Sequence, residues 1–546
     1  MEWKKFRSEN YHHYQDRYQT NSLLSKVLDQ RQMSEEQIKQ LGKMVFHDYE
    51  LFAESQEVIE RILEAIEQDE SICIYGDYDC DGILATTILV KAFKMLGKEV
   101  GYHIPNRFVD GYGLNEARVQ QMYEKGYTLI ITVDNGIKAM EAIDLANELG
   151  IDVIVTDHHA FSDDLPNAYA FLHTKLSPSY PFKEISGGVV AYKLAYRLLG
   201  KHDRYLYCLA AITTISDMMP LVDENKAMVK KALMLMKECH FPAIDLLLGD
   251  NIVYSSTSIG FNLAPKINSF GRLPEEVNPA NCVKYFLIGE HPNPSQLAFL
   301  QTFANKAKAI NSKRQTMTNQ LYGMLKEEIK KEDDFIFLYE QPVHEGLIGL
   351  LAGKFTKEYN KVSFLMNYDE TNNVYKGSAR SLGGFKLNEF LETASEDLLF
   401  YGGHALAAGF TVKFDCIPSF YEKVKNAVEQ TEFQEENKEC IVLDEEDITL
   451  KNVASLRLLE PFGSCNEEPI FCIEDVLVAR KNVLSGGKHL KISCIKDHVS
   501  FDAICFNCKD LIEQVNEGEK RTVIGQIAIN EYQNRQYIQI ILKDIL

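Results

Sequence analysis

In Ser71-Ile72-Cys73-Ile74-Tyr75-Gly76-Asp77-Tyr78-Asp79-Cys80-Asp81-Gly82 a short apolar run breaks at a glycine and opens into three alternating carboxylates. Ile83–Leu96 then shows the periodicity of a helix. Two further apolar runs, Tyr127–Val133 and Ile151–Thr156, also end on polar clusters, with helical stretches over Asn115–Lys125 and Lys138–Leu149 between them. Strand, helix, strand in this rhythm predicts right-handed crossovers and a mostly parallel sheet. Ligands of such sheets bind beyond the carboxyl ends of the strands, where all three polar clusters fall.

Upstream, residues 1–70 read as a helical leader, with apolar stripes at Leu23, Leu24, Val27 and Leu28 and at Val58, Ile59, Ile62, Leu63 and Ile66. The α/β region spans 71–240 and a helical connector 241–331, including a basic helix over Asn305–Lys331. A second α/β unit begins at Phe335–Tyr339 and covers 332–430. Residues 429–448 carry Glu429, Glu432, Glu435, Glu436, Glu439, Asp444, Glu445, Glu446 and Asp447 against Lys438, and read as a solvated linker. From 445 to 546, short alternating strands predict a small antiparallel barrel. The fold class expected is α/β, with two α/β units, a helical connector and an all-β C-terminal domain.

The 546 residues carry a formal net charge of −21, which speaks against indiscriminate polyanion binding. No apolar run approaches the roughly 18–20 residues of a membrane span, and the amino terminus lacks the apolar core of a secretory signal. Twelve cysteines at irregular spacing suit a reducing cytosol, so a cytoplasmic protein without membrane attachment is expected.

The chemistry sits at the strand ends. Asp77, Asp79 and Asp81 point one way if the segment stays extended, and would repel strongly without a cation. Asp134-Asn135-Gly136 follows the second run, Asp157-His158-His159 the third, and Ser216-Asp217 closes the apolar stretch Cys208–Ile215. Adjacent imidazoles beside a carboxylate, as in the third cluster, are uncommon as packing elements. Singly, the first cluster reads equally as a metal site or as an acidic turn or cap, the second as an Asx turn and the fourth as a cap. Together they predict a two-metal site, because two cations about 3.5–4 Å apart can activate water and neutralise a phosphodiester. Imidazole with carboxylate suits Mn²⁺ or Zn²⁺, whereas an all-oxygen set suits Mg²⁺.

These four clusters resemble motifs I to IV of the DHH phosphoesterase superfamily. The resemblance implies two ions, Mn²⁺ or Mg²⁺, held by Asp79, Asp81, Asp134, His158 and Asp217, with Asp77 and His159 close by. It also places a DHHA1 domain over Gly377-Ser378-Ala379-Arg380-Ser381 and Gly402–Gly409, making Ser378, Arg380, Gly403 and His404 candidate phosphate or nucleotide contacts. Taken alone, the glycine run reads as a phosphate-cradling turn or a tight turn before a buried small-residue helix. The leader, the stretch Pro265–Leu273 with Arg272, the helix bearing Arg314, and Leu459–Gly463 before an OB-like barrel resemble the RecJ family of single-strand-specific exonucleases. That branch implies 5′→3′ hydrolysis of single-stranded DNA to mononucleotides in recombination and repair, with a single-strand-binding protein and a helicase as partners. Cys80, Lys266, Ser269-Phe270 and Val343 depart from the family pattern, but no motif acid or histidine is missing.

The competing readings are an oligoribonuclease or dinucleotide phosphodiesterase of the same superfamily, and a non-catalytic replication or repair scaffold. In the barrel, Arg480, Lys481, Lys488, Lys491 and Lys496 with His489 and Phe501 suit a single-stranded backbone and base stacking. Cys505-Phe506-Asn507-Cys508, without a second pair, reads as two reduced thiols.

Overall fold

The computed structural model describes residues 3–111, 113–161, 164–250, 252–330, 332–339, 342–433, 438–533 and 535–546; Lys331, Glu435 and Glu436, named above, lie outside them. A short strand, β1 (Trp3–Phe6), opens the chain. Two compact units follow, one of Met1–Phe46, Pro220–Lys231 and Asn437–Leu546, the other of His47–Met219 and Ala232–Glu436.

The larger unit carries two sheets. The first contains β2 (Ile72–Tyr75), β3 (Gly101–His103), β4 (Leu129–Val133), β5 (Asp152–Thr156) and β6 (Ala170–Leu172), all parallel in the order β3-β2-β4-β5-β6. β2 and β4 are buried along their whole length, which is why they read as unbroken apolar runs. The strand order reverses at β2, where β3 lies on one side and β4 on the other, so a crevice opens at the carboxyl ends. Helix Cys80–Met95 is buried over most of its length against helices Gly187–Leu199 and Arg204–Ser216.

The second sheet contains β7 (Ile336–Leu338), β8 (Ser363–Asp369), β9 (Val374–Arg380), β10 (Leu398–His404) and β11 (Ala407–Lys413). Its order is β10-β11-β9-β8-β7, antiparallel except for β7 with β8. The Gly402–Gly409 run is therefore a hairpin, and the small-residue helix expected after its turn is a strand. Low strand propensity is overridden by a seven-residue ladder between β11 and β9. The long connector helix runs over Pro294–Lys326 behind a capping box of Asn293 and Gln296.

The smaller unit contains β12 (Lys438–Leu443), β13 (Phe471–Leu484), β14 (His489–Lys496), β15 (Val499–Cys505), β16 (Lys520–Tyr532) and β17 (Arg535–Ile545), ordered β1-β12-β13-β14-β15-β17-β16 and closed by β13 against β16. Three pairings, β1–β12, β12–β13 and β15–β17, are parallel, which corrects the purely antiparallel barrel. The leader is not one helical segment. Leu23, Leu24, Val27 and Leu28 of helix Ser22–Gln30 pack into the barrel's core beside Val476, Ile492 and Ile540, whereas helix Ser55–Glu67 belongs to the larger unit. In that helix Val58, Ile59 and Ile62 are buried, but Leu63 faces solvent. The acidic linker is also partly structural: Cys440–Leu443 are buried in β12, and Asp444 and Asp447 hold the buried Lys26 ammonium at 2.7 and 2.6 Å.

No helix among the described residues is long and apolar enough to cross a membrane, and all twelve cysteines are free thiols.

Candidate metal centre

Each acid reaches the cluster by a different local device, three of them at strand ends and one at a helix end. Asp79 is extended and caps helix Cys80–Met95, accepting a hydrogen bond from the Gly82 N–H at 3.1 Å. Asp81, in the first turn, accepts from the backbone N–H groups of Gly187 and Gly188 at 2.9 and 2.7 Å. Asp134 stands just past β4 with left-handed φ of 63°, its N–H bound to the Thr156 carbonyl at 3.0 Å. Asp217 is the C-cap of helix Arg204–Ser216. Capping and clustering are thus the same event, not alternatives.

His158 Nε2 lies at the hub, 3.0 Å from Asp134 Oδ1, 3.6 Å from Asp217 Oδ2 and 3.8 Å from Asp81 Oδ2. Three sets of possible ligand atoms each lie within 4.8 Å of one another: Asp77, Asp79 and Asp134; Asp81, His158 and Asp217; and Asp134, Asp157, His158 and His159. Asp134 is shared between sets, the place a bridging carboxylate requires. The Gly187–Gly188 helix start was missed from sequence; its signal was Ser186-Gly187-Gly188 ahead of an apolar helical run. A Cβ on Gly187 would approach the Asp134 Cβ to 2.7 Å, so the helix can reach the cluster only as glycine.

Burial, then the charge of Asp79, pushes the Asp77 carboxyl up to about 8 and that of Asp81 up to about 7. Burial and Asp81 hold Asp134 and Asp217 well above the ordinary carboxylate range. Asp77 Oδ1 is buried without a hydrogen-bond partner among the described residues. His158 is held well below its ordinary value by burial and His159, leaving the neutral imidazole that a metal binds. Buried acids, an unsatisfied oxygen and mixed O/N donors fit divalent cations.

A stability effect follows. A carboxyl with a raised folded pKa costs the fold nothing below its unfolded value of 3.8, and destabilises progressively as pH rises toward 7 and 8. Cations relieve that repulsion. Mn²⁺ is expected to raise the melting temperature by at least about 5 °C at pH 8 and far less at pH 5.5. Equal gains at both pH values in thermal melts, with EDTA controls, would contradict the assignment.

Asp157 holds a different role. Its Oδ1 accepts from the N–H groups of His158 and His159 at 2.7 and 3.1 Å and lies 2.8 Å from His159 Nδ1, while Oδ2 accepts from the Ile137 N–H at 3.1 Å. Burial opposes its ionisation, but the His159 charge and hydrogen bond outweigh it and keep Asp157 below the ordinary range. Burial likewise lowers His159, yet Asp157 lifts it to about 9.

The second sheet brings His404 against this pair, its ring stacked on His159 with centroids 6.3 Å apart. Arg380 Nη1 donates to Ser378 Oγ at 2.8 Å and to the Ala379 carbonyl at 2.7 Å. Arg272 donates to the Gly346 carbonyl at 3.2 Å; burial, then the charges of Arg107, Arg314 and Arg380, lower it to about 10. Arg107 lies over the ring of Tyr78, the residue between Asp77 and Asp79, 5.4 Å from its centroid. Arg314, whose Nε donates to Asn311 Oδ1 at 3.0 Å, lies with Arg380 close enough for its charge to act on Arg272. Arg107 was missed, although it follows the end of β3 as the acids follow β2 and β4. Gly403 is fixed by the fold: its φ is 144°, and a Cβ would lie 2.6 Å from the Ala408 Cα.

The basic elements are narrower than expected. Lys313 and Lys326 of the long helix pair with Glu276 and Glu358. In the smaller unit Lys491 lies 2.9 Å from Asp502, and Lys481 donates to the Ile512 and Val515 carbonyls at 2.6 and 2.7 Å. Phe501 is core and cannot stack a base. Exposed Lys488 lies on the β13–β14 turn, near His489, whose ring meets that of 58% exposed Phe506 at 5.5 Å. Phe506, read from sequence only as part of a thiol pair, is the better stacking candidate.

Residues 71–215 match the DHH family N-terminal domain, 332–430 the DHHA1 domain and 441–544 the RecJ OB domain. A Bacillus subtilis single-stranded-DNA-specific exonuclease RecJ is 33% identical over 90% of this chain, which spans 63% of that relative's length. The structure of Thermus thermophilus RecJ in complex with Mn²⁺ superposes with a TM-score of 0.83 at 25% identity, covering 100% of this chain and 79% of that one. A manganese-bound exonuclease RecJ shares 30% identity over 68% of this chain and 94% of its own, with a TM-score of 0.58.

Proposed function

The chain belongs to the RecJ family of DHH phosphoesterases, and from that membership we infer a metal-dependent exonuclease that degrades single-stranded DNA 5′→3′ to mononucleotides, in recombination and repair. The observation that carries this reading is the juxtaposition of a buried acid–histidine cluster with Arg107, which lies over Tyr78 between two of its acids, and with His404, which stacks on His159. Asp77, Asp79, Asp81, Asp134, His158 and Asp217 would hold two ions, Mn²⁺ or Mg²⁺. When bound, these supply Lewis-acid activation of water and neutralise charge on the phosphodiester.

The chain's own groups do the rest. Arg107, Arg272 and Arg380 grip phosphate, because a guanidinium matches two phosphate oxygens and stays charged even when buried. Asp157 fixes the His159 ring through Nδ1 and so orients an imidazole that can hold or deliver a proton at the substrate. His404 closes the other side of that imidazole. Single-strand selectivity follows from a site set in a crevice at strand ends, between the two sheets of the larger unit. A helicase to unwind duplex and a single-strand-binding protein to present the strand are the partners such a substrate implies. Free thiols throughout favour a reducing, cytosolic setting.

The deciding assay supplies Mn²⁺ and labelled single-stranded DNA, with 5′-blocked, 3′-blocked, duplex and RNA controls. Mononucleotides should appear from unblocked and 3′-blocked single strands only. Hydrolysis confined to dinucleotides or short RNA would replace this reading with a phosphodiesterase or oligoribonuclease, and no hydrolysis would favour a scaffold.

A further inference from the structure

The register of the second sheet arranges one of its faces in rows. His404 lies beside Ala407 and Arg380, Gly402 beside Gly409 and Ser378, and Phe400 beside Thr411 and Lys376. Residues opposed across strands share a face, as do alternate residues along one. The three rows therefore form one surface, each about 7 Å from the next. The first row is at the metal centre, where His404 stacks on His159. The third lies about 13 Å away along the edge strand β10.

The middle row carries a side chain only at Ser378, and nothing internal to the fold demands its two glycines. A Cβ on Gly402 would meet only the Phe400 ring at 3.9 Å, and one on Gly409 only the Gly377 carbonyl at 3.9 Å. Neither glycine has a left-handed backbone, unlike Gly403. Glycine inside a strand weakens it and, where packing does not demand it, marks close approach by something else. At the far end of this floor Phe400 is 58% exposed, and its neighbours Leu399 and Tyr401 are exposed too, on a strand whose outer side pairs with no other strand among the described residues. Such an apolar edge is an aggregation hazard unless it has an occupant.

We propose that the Phe400 row is a subsite for the single-stranded substrate: the Phe400 ring stacks a base, and the strand's backbone crosses the Gly402–Gly409 floor to the metal centre. This rests on the exonuclease reading and extends it. The row takes a base and not a phosphate, because Lys376 is already held by Asp369 at 3.2 Å and Glu345 at 3.9 Å. Stacking on a lone aromatic is indifferent to base identity, as an enzyme that degrades any sequence requires.

Phe400→Ala in the full chain should raise KM for single strands of several nucleotides about tenfold, leaving kcat within about twofold and dinucleotide hydrolysis unaltered; Phe400→Trp should restore affinity. Gly402→Ala should raise KM similarly with no loss of melting temperature. An oligonucleotide carrying 5-iodouracil second or third from its 5′ end, bound to the Asp134→Asn chain, should photo-cross-link to Phe400. Unchanged KM with no cross-link there, in a chain that digests DNA, overturns the subsite and leaves the exonuclease intact. A cross-link at Phe400 without hydrolysis by the unaltered chain sinks the exonuclease reading alone. Self-association lost in Phe400→Ala with KM unchanged assigns the edge to a second copy and overturns the proposal.

Discussion

Asp134→Asn is expected to lower exonuclease activity by at least about 10³-fold while making the metal-free protein more stable at pH 8. The two effects share a cause. Outer groups that only orient a ligand are each worth about 10–100-fold. Asp134 belongs to the set with Asp77 and Asp79 and lies 3.0 Å from His158, the hub of the set with Asp81 and Asp217, so its loss should weaken both ions together. In the metal-free chain the same carboxylate is buried against Asp81, Asp79 and Asp217, which hold its pKa well up. An amide removes one charge from that repulsion. Asparagine also tolerates the left-handed φ of 63° better than alanine, so the β4 turn should survive. The melting gain with Mn²⁺ should shrink correspondingly. Activity within tenfold of the unaltered chain, or an undiminished Mn²⁺ gain, would remove Asp134 from the site.

How much of this was legible follows from what a sequence can encode. Asp77, Asp79, Asp81, Asp134 and Asp217 stood out because each interrupts an apolar run, and topology gathers strand ends without further information. The N–H groups of Gly187 and Gly188 could not stand out, since every residue but proline carries that donor and only packing aims it. Arg107 was within reach, as strand-end logic applied to β3 points to it. The barrel's lysines were legible as charge but not as partners: Lys491 and Asp502 belong to adjacent strands, and their encounter depends on register. Phe501 alternates with Ala503 and Cys505 on the buried face of β15, a period-two pattern that argued for core over stacking. The β1–β12 pairing joins residues more than 400 apart, and no local signal in a tetrapeptide announces it.

Asp157→Ala should cost the fold about 3–5 kcal/mol and suppress activity, although this carboxylate differs from the five acids read as the cluster's main members. Two fully buried donors, the N–H groups of Ile137 and His158, end on it, and each unsatisfied buried donor costs about 1–3 kcal/mol. The His159 ring and N–H lose their anchor as well. In metal-free protein the linkage has a definite sign. Asp157, with its folded pKa depressed, stabilises above its unfolded value of 3.8 and less as pH falls through the folded one. His159, raised to about 9, stabilises fully below 6.5 and progressively less as pH rises to about 9. The pair's contribution is therefore greatest between about pH 4 and 6.5, and there the variant should lose most relative to the unaltered chain. Asp157→Asn, which keeps an acceptor for the backbone but not the charge, should fold better than the alanine variant and still titrate His159 near or below 6.5, measured by NMR with EDTA present. If His159 keeps a pKa near 9 in that variant, something other than Asp157 holds the imidazole, and its part in orienting the proton donor is wrong.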